Sequence, residues 1–466
     1  MMILMFYEKD KKYVKKNLKK GDLDDLVMSN PNLTDSIILT MFKNGYLSGL
    51  EDSFLDKRRD NSSIPLETFL ILGVAGKLNL QNALSYIPYA ISDTDLLNKL
   101  GWNELIKDDF PDNGMMSEGS IRSFIEKHDA EYFSKGYNKY VKNHVLSKLP
   151  ERPTNHLLDC TIIEGHGNYS KYDEIGTTVR DGKTIHGFKL CTLRGLLSSG
   201  GGITEAISIG LVNEHDFALS ECIIKSGLFK EGDNLIQDSG FIDRNTINTL
   251  KKEGVNVYVR VKKNMDIYKE AVALACKIPV GKWKNHPTRK KQKIATVKEL
   301  GNMWVHDRKN DVDLTAAVVY DEKKDKYYVF VTSDITKNAK SIINTYQLRP
   351  EIEEDYRQKK VYWNLGKFTS KKYNTIAFHI FLTALGFLFY QLFTQTKIGE
   401  KYSGKSIQTA FRIFDRDKLR EIKAKDTRLI IYYNGYFGIF KFMEVMDIYA
   451  DIPKEIRAKI KKVVQW

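Results

Sequence analysis

Three acidic residues stand where an acid is either expensive or exposed to chemistry: Asp159 within HLLDCTII, Asp238 at the end of NLIQD, and Glu353 within SIINTYQLRPEIEEDYRQKK. The first run is short, apolar and β-branched, so it reads as a strand, and an acid in the middle of a buried strand is costly unless it is partnered. NLIQD, then IDRNTINTLKKE closed by Gly254, then VNVYVRV read as strand, helix and strand. In open α/β sheets reactive groups gather at the carboxyl ends of such strands, which is where Asp238 falls. Either Asp taken alone is as well explained by a backbone hydrogen bond or a turn cap. Two on neighbouring strands are different, because converging carboxylates repel one another unless a cation stands between them. Glu353 completes a three-carboxylate set, and all-oxygen donors without His or Cys favour Mg²⁺ or Mn²⁺ over zinc.

Glu353 belongs to a wider pattern. Tyr346, Arg349, Glu353 and Lys360 are separated by three, four and seven positions, steps that share one narrow arc of a helix at about 100° per residue. Their neighbours on that arc, Arg357 among them, are polar or basic, so this is not the apolar stripe of a core-facing helix. Such a face is either solvated or presented to a charged ligand. Pro350 cannot donate to a preceding turn and is predicted at the first position of a helix running to about Tyr362, with Tyr346 and Arg349 on the turn before it.

Composition narrows the ligand. Lys+Arg number 73 against Asp+Glu 59, a net charge of +14 that favours a polyanionic partner, nucleic acid or an anionic membrane, over the alternative of a merely basic enzyme. With 466 residues, 42% hydrophobic and 28% charged, the chain can bury a large core in about three domains or subdomains. Cys160, Cys191, Cys222 and Cys276 lie far apart without metal-ligand spacing, which argues against structural zinc and suits a reducing compartment. MMILMFYEKDKK lacks the length and charge order of a secretory signal, so a cytoplasmic location is expected.

Residues 1–150 read as a small helical domain, with SIPLETFLILGVAGKL and GSIRSFIEKHDAEYFSKGYNKYVKNHVLSKL carrying apolar residues at helical steps. Its basic runs, Lys11 to Lys20 and Lys57-Arg58-Arg59, either grip phosphates or meet solvent. From 151 to about 395 strands take over, IHGFKLCTL and ITEAISIGLV pairing across SSGGG. Between about 264 and 340 the chain is rich in strands, DLTAAVVYDE and KYYVFVTSD forming a hairpin at Lys323 and Lys324. Nearby, KWKNHPTRKKQK sets Trp283 among Arg289, Lys290 and Lys291, either a nucleic-acid contact with a base-stacking ring or a solvated loop whose Trp packs inward. TIAFHIFLTALGFLFYQLF approaches the length of a membrane span, but His379, Thr383 and Gln391 interrupt it and charge flanks it, so a buried core helix is expected and no membrane partner. Residues 396–466 hold a hairpin signal at Asn434-Gly435 and the basic PKEIRAKIKKVVQW, with no function legible beyond DNA-end contacts or dimerisation.

LLDCT at Asp159, HGFKL at His186 to Leu190, NEHD at Asn213 to Asp216, QDSGF around Asp238 and the Tyr346-Arg349-Glu353-Lys360 set together resemble the DDE transposases of bacterial insertion sequences, in the subgroup with the Y-(2)-R-(3)-E-(6)-K signature. The resemblance covers about Leu157 to Phe393. It implies a ribonuclease H-like α/β catalytic core with a β-rich insertion, and Asp159, Asp238 and Glu353 as ligands of two Mg²⁺ or Mn²⁺ ions. It further implies that Tyr346, Arg349 and Lys360 hold the transposon end, with Arg357 and Trp363 as further candidates for that surface. Double-stranded DNA, both transposon inverted-repeat ends and target, is the implied partner, and a homodimer the implied synaptic form. Pro350 departs from the family pattern, where an aromatic residue is common. A nuclease of the same fold that does not join strands, and a non-catalytic DNA-binding descendant, also fit the residues.

Overall fold

The computed structural model describes residues 32–55, 65–91, 94–100, 117–300 and 313–423. The basic runs at Lys11 to Lys20 and Lys57 to Arg59, the Asn434-Gly435 signal and the C-terminal basic segment lie outside the described residues.

Helices come first: α1 (Leu33–Lys43), α2 (Leu50–Ser53), α3 (Leu66–Leu78), α4 (Thr94–Lys99), α5 (Glu118–Glu126) and α6 (Ala130–Tyr140). Side-chain caps start several of them; Asn32 and Asp35 form a reciprocal capping box on α1, and Ser117 and Asp129 cap α5 and α6. Strands β1 (Asn155–Glu164), β2 (Gly176–Arg180), β3 (Lys183–Leu196) and β4 (Gly202–Leu211) follow, then α7 (Asp216–Ile224), β5 (Asn234–Gln237), α8 (Arg244–Lys252), β6 (Asn256–Val261) and α9 (Asp266–Cys276). Next are β7 (Lys284–Asn285), β8 (Gln292–Leu300), β9 (Leu314–Asp321) and β10 (Lys326–Thr332). Helices α10 (Ala339–Tyr346), α11 (Pro350–Val361), α12 (Tyr373–Thr394) and α13 (Ile407–Lys423) complete the order.

The ten strands of the described residues join one mixed sheet. β4, β3 and β1 are antiparallel neighbours, and β1, β5 and β6 run parallel through the crossover helices α7 and α8. The strand-rich stretch expected near 264–340 extends this sheet: β10 pairs antiparallel with β6, and β9, β8 and β7 continue outward. Outer strand β4 is closed off by side chains of α6 and α12. Ile207 exchanges both backbone hydrogen bonds with the Asn138 amide, the Ile209 amide donates to Ser134, Tyr137 donates to the Thr204 carbonyl, and the Thr204 amide donates to Gln391.

Apolar layers cover both faces. On one, α7, α8 and α9 pack over Leu158, Leu235, Val257 and Val329. On the other, α10 and α11 pack over Leu157, Ile236 and Tyr258. A third cluster joins α12 to α1, α3, α5 and α6 as well as to Phe188, Ile203 and Ile207 of the sheet, so the N-terminal helices share their core with the strand-bearing region. Phe381 of α12 meets Phe54 and Phe133 at ring-centroid distances of 5.4 and 5.3 Å. As expected from its interrupting polar residues, α12 is a core helix; it is long and apolar enough to cross a membrane but is buried inside the molecule.

Candidate active site

Pleat alternation sets the direction of the two aspartates. Leu157 and Ile236 lie in the layer beneath α10 and α11, whereas Leu158 and Leu235 lie in the opposite one. Side chains two apart along a strand share a face, so Asp159 and Asp238 project toward α11, on parallel neighbours whose register runs up to Leu158 and Gln237. Asp238 follows the last residue of β5, at the carboxyl end that the strand-helix-strand pattern predicted.

Pro350 begins α11 as expected, and the Arg349 amide donates to the Tyr346 carbonyl at 3.1 Å across the joint with α10. This joint brings Arg349 over both strands. Its Nη2 lies 2.9 Å from Asp159 Oδ2 and 4.0 Å from Asp238 Oδ2, and its Nη1 donates to Glu353 Oε1 at 2.6 Å. One guanidinium therefore faces all three acids. Asp159 is the most enclosed, its side chain 14% exposed against 43% for Asp238 and 56% for Glu353. Burial pushes the Asp159 carboxyl up to about 6, against the opposing pull of Arg349 and of the Cys160 amide that donates to it.

The donor chemistry fits a hard divalent ion: three carboxylates converge and are balanced in this arrangement by a single positive charge. Among the described residues no three acidic, His or Cys side chains close to ligating distance; the group that these three acids share is the Arg349 guanidinium. Ion binding would require Arg349 to withdraw and the acids to close in.

The other sequence-selected residues separate into two groups. Tyr346 packs on Phe330, ring centroids 4.8 Å apart, and burial raises its phenol to about 12. Lys360 is exposed near the end of α11, within electrostatic reach of Glu164 and Arg180. Arg357 is exposed, hydrogen-bonded to Glu354 and stacked 5.6 Å from the Tyr362 ring centroid. Arg289, Lys290 and Lys291 are exposed on the turn before β8, and Gln347 donates to Thr288 at 3.1 Å, which ties this basic turn to the α10–α11 joint.

One tryptophan departs from the surface expected of it, and the other takes the inward one of its two alternatives. Trp363 is 1% exposed and packs against Phe387 and Tyr390 of α12, so it belongs to the core and not to the face that carries Lys360. The helix ends before it, at Val361, and its neighbours there are rings of α12. Trp283 is half-buried against the α9 side of the sheet and donates to the Ile278 carbonyl at 3.3 Å, so its ring is engaged in packing and the inward alternative describes it.

Sequence reasoning missed the buried face of α11. Ile352, Asp355, Tyr356 and Lys359 face inward, at core-helix spacing but mostly with polar side chains. Arg194 of β3 pairs with Asp355 and donates to the Glu351 carbonyl, and Gln391 of α12 donates to Asp355 at 3.1 Å. Tyr356 donates to the Asp159 carbonyl at 2.5 Å. The signal was present at positions 352, 355, 356 and 359, but polarity hid it.

The sequence pattern of the family described as "Transposase DDE domain" matches residues 154–389, just over half of the chain, and this span contains all three carboxylates. The chain belongs to this DDE transposase family. Its activity is DNA transposition. Among solved structures, a piggyBac transposase synaptic complex with hairpin DNA, determined by cryo-EM, is similar at 12% identity and a TM-score of 0.43, over 95% of this chain and 88% of that one. No match was found among curated proteins. In this transposase the span runs from the start of β1 into α12, so the family region includes the acid-bearing strands, the outer strands and α11.

Proposed function

We propose that this transposase cuts transposon ends and joins the freed 3′-hydroxyl to target DNA with Asp159, Asp238 and Glu353 as its catalytic carboxylates. The observation that carries the reading is the meeting of these acids, from β1, the end of β5 and α11, around Arg349. They would hold two Mg²⁺ or Mn²⁺ ions, which supply activation of water and then of the 3′-hydroxyl and neutralise the leaving oxygen of an in-line displacement. The chain's own residues orient the substrate. Arg349, once drawn from the acids, offers a planar fork to a phosphate, and exposed Lys360 lies about 10 Å along the helix from Glu353, from a rise of about 1.5 Å per residue. The basic turn at Arg289 to Lys291 extends the same surface.

The strand order β4-β3-β1-β5-β6, antiparallel hairpins followed by parallel crossovers, supports a ribonuclease H-like core, with β7 to β10 as the β-rich insertion. The spacing of Tyr346, Arg349, Glu353 and Lys360 supports the Y-(2)-R-(3)-E-(6)-K subgroup. Synapsis of two ends calls for two copies of the chain. The test is a strand-transfer assay with end-bearing duplex and supercoiled target in Mg²⁺: joined product that vanishes in Asp159→Asn supports the reading, and joined product that persists in Asp159→Asn overturns the role given to these carboxylates.

A further inference from the structure

We propose that Tyr356, with the buried Arg194–Asp355 pair, is a positioning residue that fixes the rotation and approach of α11, so that Glu353 is held over Asp159 and Asp238. This rests on the reading of those three acids as the catalytic set.

The inward face of α11 contains little that apolar packing alone could orient. Of its buried residues only Ile352 is fully apolar; Asp355, Tyr356 and Lys359 are the others. Non-directional burial tolerates sliding and rotation, whereas hydrogen bonds and ion pairs do not. Such contacts fall on every turn. Near the start, Arg194 Nη1 donates to the Glu351 carbonyl at 2.6 Å. In the middle, the same guanidinium pairs with Asp355, whose second oxygen accepts from Gln391 at 3.1 Å, while Gln391 accepts from the Thr204 amide at 2.9 Å. Further on, Lys359 Nζ lies 3.5 Å from Thr204 Oγ1 and 4.8 Å from the Phe387 ring centroid. The helix is thereby keyed to β3, β4 and α12 together.

Tyr356 makes the contact that reaches the reacting group. Its hydroxyl donates at 2.5 Å to the carbonyl of Asp159, with the Leu190 carbonyl at 3.4 Å. β1 is paired with β5 only up to Leu158, so Asp159 sits where the parallel ladder has ended and α11 takes over as its neighbour. One turn separates Tyr356 from Glu353. The phenol therefore sets the distance between the backbone carrying the first acid and the helix carrying the third. Displacement of a reacting group by about 1 Å is enough to slow a step on the order of 10²-fold.

The experiment uses the full chain with Tyr356→Phe, which keeps the ring and removes only the hydroxyl. Mn²⁺ alone is titrated calorimetrically, and single-turnover cleavage of an end duplex is followed as Mn²⁺ is raised. Expected are roughly tenfold weaker Mn²⁺ binding, cleavage slowed on the order of 10- to 100-fold and partly restored at high Mn²⁺, and unchanged end-DNA affinity. Asp355→Asn should act in the same direction. Unchanged Mn²⁺ affinity in Tyr356→Phe, or a loss of DNA binding in step with cleavage and without Mn²⁺ rescue, overturns the proposal. Asp159→Asn run alongside separates the two readings. If it too binds Mn²⁺ like the unaltered protein, the three-carboxylate site fails; if it loses Mn²⁺ while Tyr356→Phe does not, only the positioning role fails.

Discussion

Arg349 and Asp159 form an ion pair at 2.9 Å in which the guanidinium does for three converging carboxylates what a divalent ion would otherwise do. The same side chain is the one best suited, by its planar fork, to a DNA phosphate. On the proposed function it would serve the acids in one setting and the substrate in the other.

Replacing Arg349 with Ala leaves the acids without their counter-charge. The variant should melt lower than the unaltered protein in EDTA and gain more from added Mn²⁺, because ligand binding to the native state adds stability that grows with affinity. Thermal melts across a Mn²⁺ series check this, and an equal Mn²⁺ gain in both proteins would refute it.

Asp159→Asn, Asp238→Asn and Glu353→Gln should each abolish cleavage while leaving end binding largely intact, and chelation should silence the unaltered protein in the same way. Gel shifts beside cleavage assays decide it. A variant that still cuts at full rate removes its residue from the site.

Lys360→Ala, and Arg289, Lys290 and Lys291 each changed to Ala, should lower the slope of log affinity against log salt by about one unit for each DNA phosphate that is no longer neutralised. Melting temperatures should hold, since all four side chains are exposed. Unaltered slopes would return these residues to a solvated face.

Trp363→Ala should behave as a core mutant. Removing a side chain that is 1% exposed opens a cavity and should cost about 3–5 kcal/mol. Denaturant unfolding measures it. A stable variant with weakened DNA binding would restore Trp363 to the surface.

A pH effect should come from the far end of β1. His156 Nδ1 lies 2.6 Å from Glu205, and its Nε2 lies 3.2 Å from Asp233, off the line of a good hydrogen bond. Burial alone would lower the imidazole, but the Glu205 charge and the contacts with both acids outweigh it and raise it to about 9. With the folded value above the ordinary 6.5, the stabilisation is complete below about pH 6.5 and is lost as pH climbs through about 9, by up to roughly 3 kcal/mol. His156→Gln should flatten that alkaline fall in denaturant unfolding between pH 6 and 10. A slope identical to that of the unaltered protein would show that the pair does not hold the proton.

The sequence exposed the strands and the acids because each announces itself locally: a β-branched run around Asp159, a strand-helix-strand order that puts Asp238 at a strand end, and a Pro350 suited to the first turn of a helix. The spacing from Tyr346 to Lys360 was equally legible. It did not reveal that Arg349 would turn toward the acids, since its partners are brought together only by the parallel register of β1 and β5. Trp363 was misread because a residue just past a polar helix inherits the character of its neighbours, whereas its direction is set by α12. The inward turn of Asp355 and Lys359 was not legible, because buried charge is invisible in composition until its partners, Arg194 and Gln391, are in place.

The contact of Phe381 with Phe54 and Phe133 has an evolutionary corollary. Where a DNA-reading module hangs from a linker, recombination can exchange it for another and leave the chemistry untouched. Here the N-terminal helices supply one wall of the core that α12 completes, so a foreign module grafted in their place would arrive without the matching half of the packing. Diversification of such a chain should proceed by paired substitutions across that seam, and shuffled hybrids should fail at folding before recognition is ever put to the test.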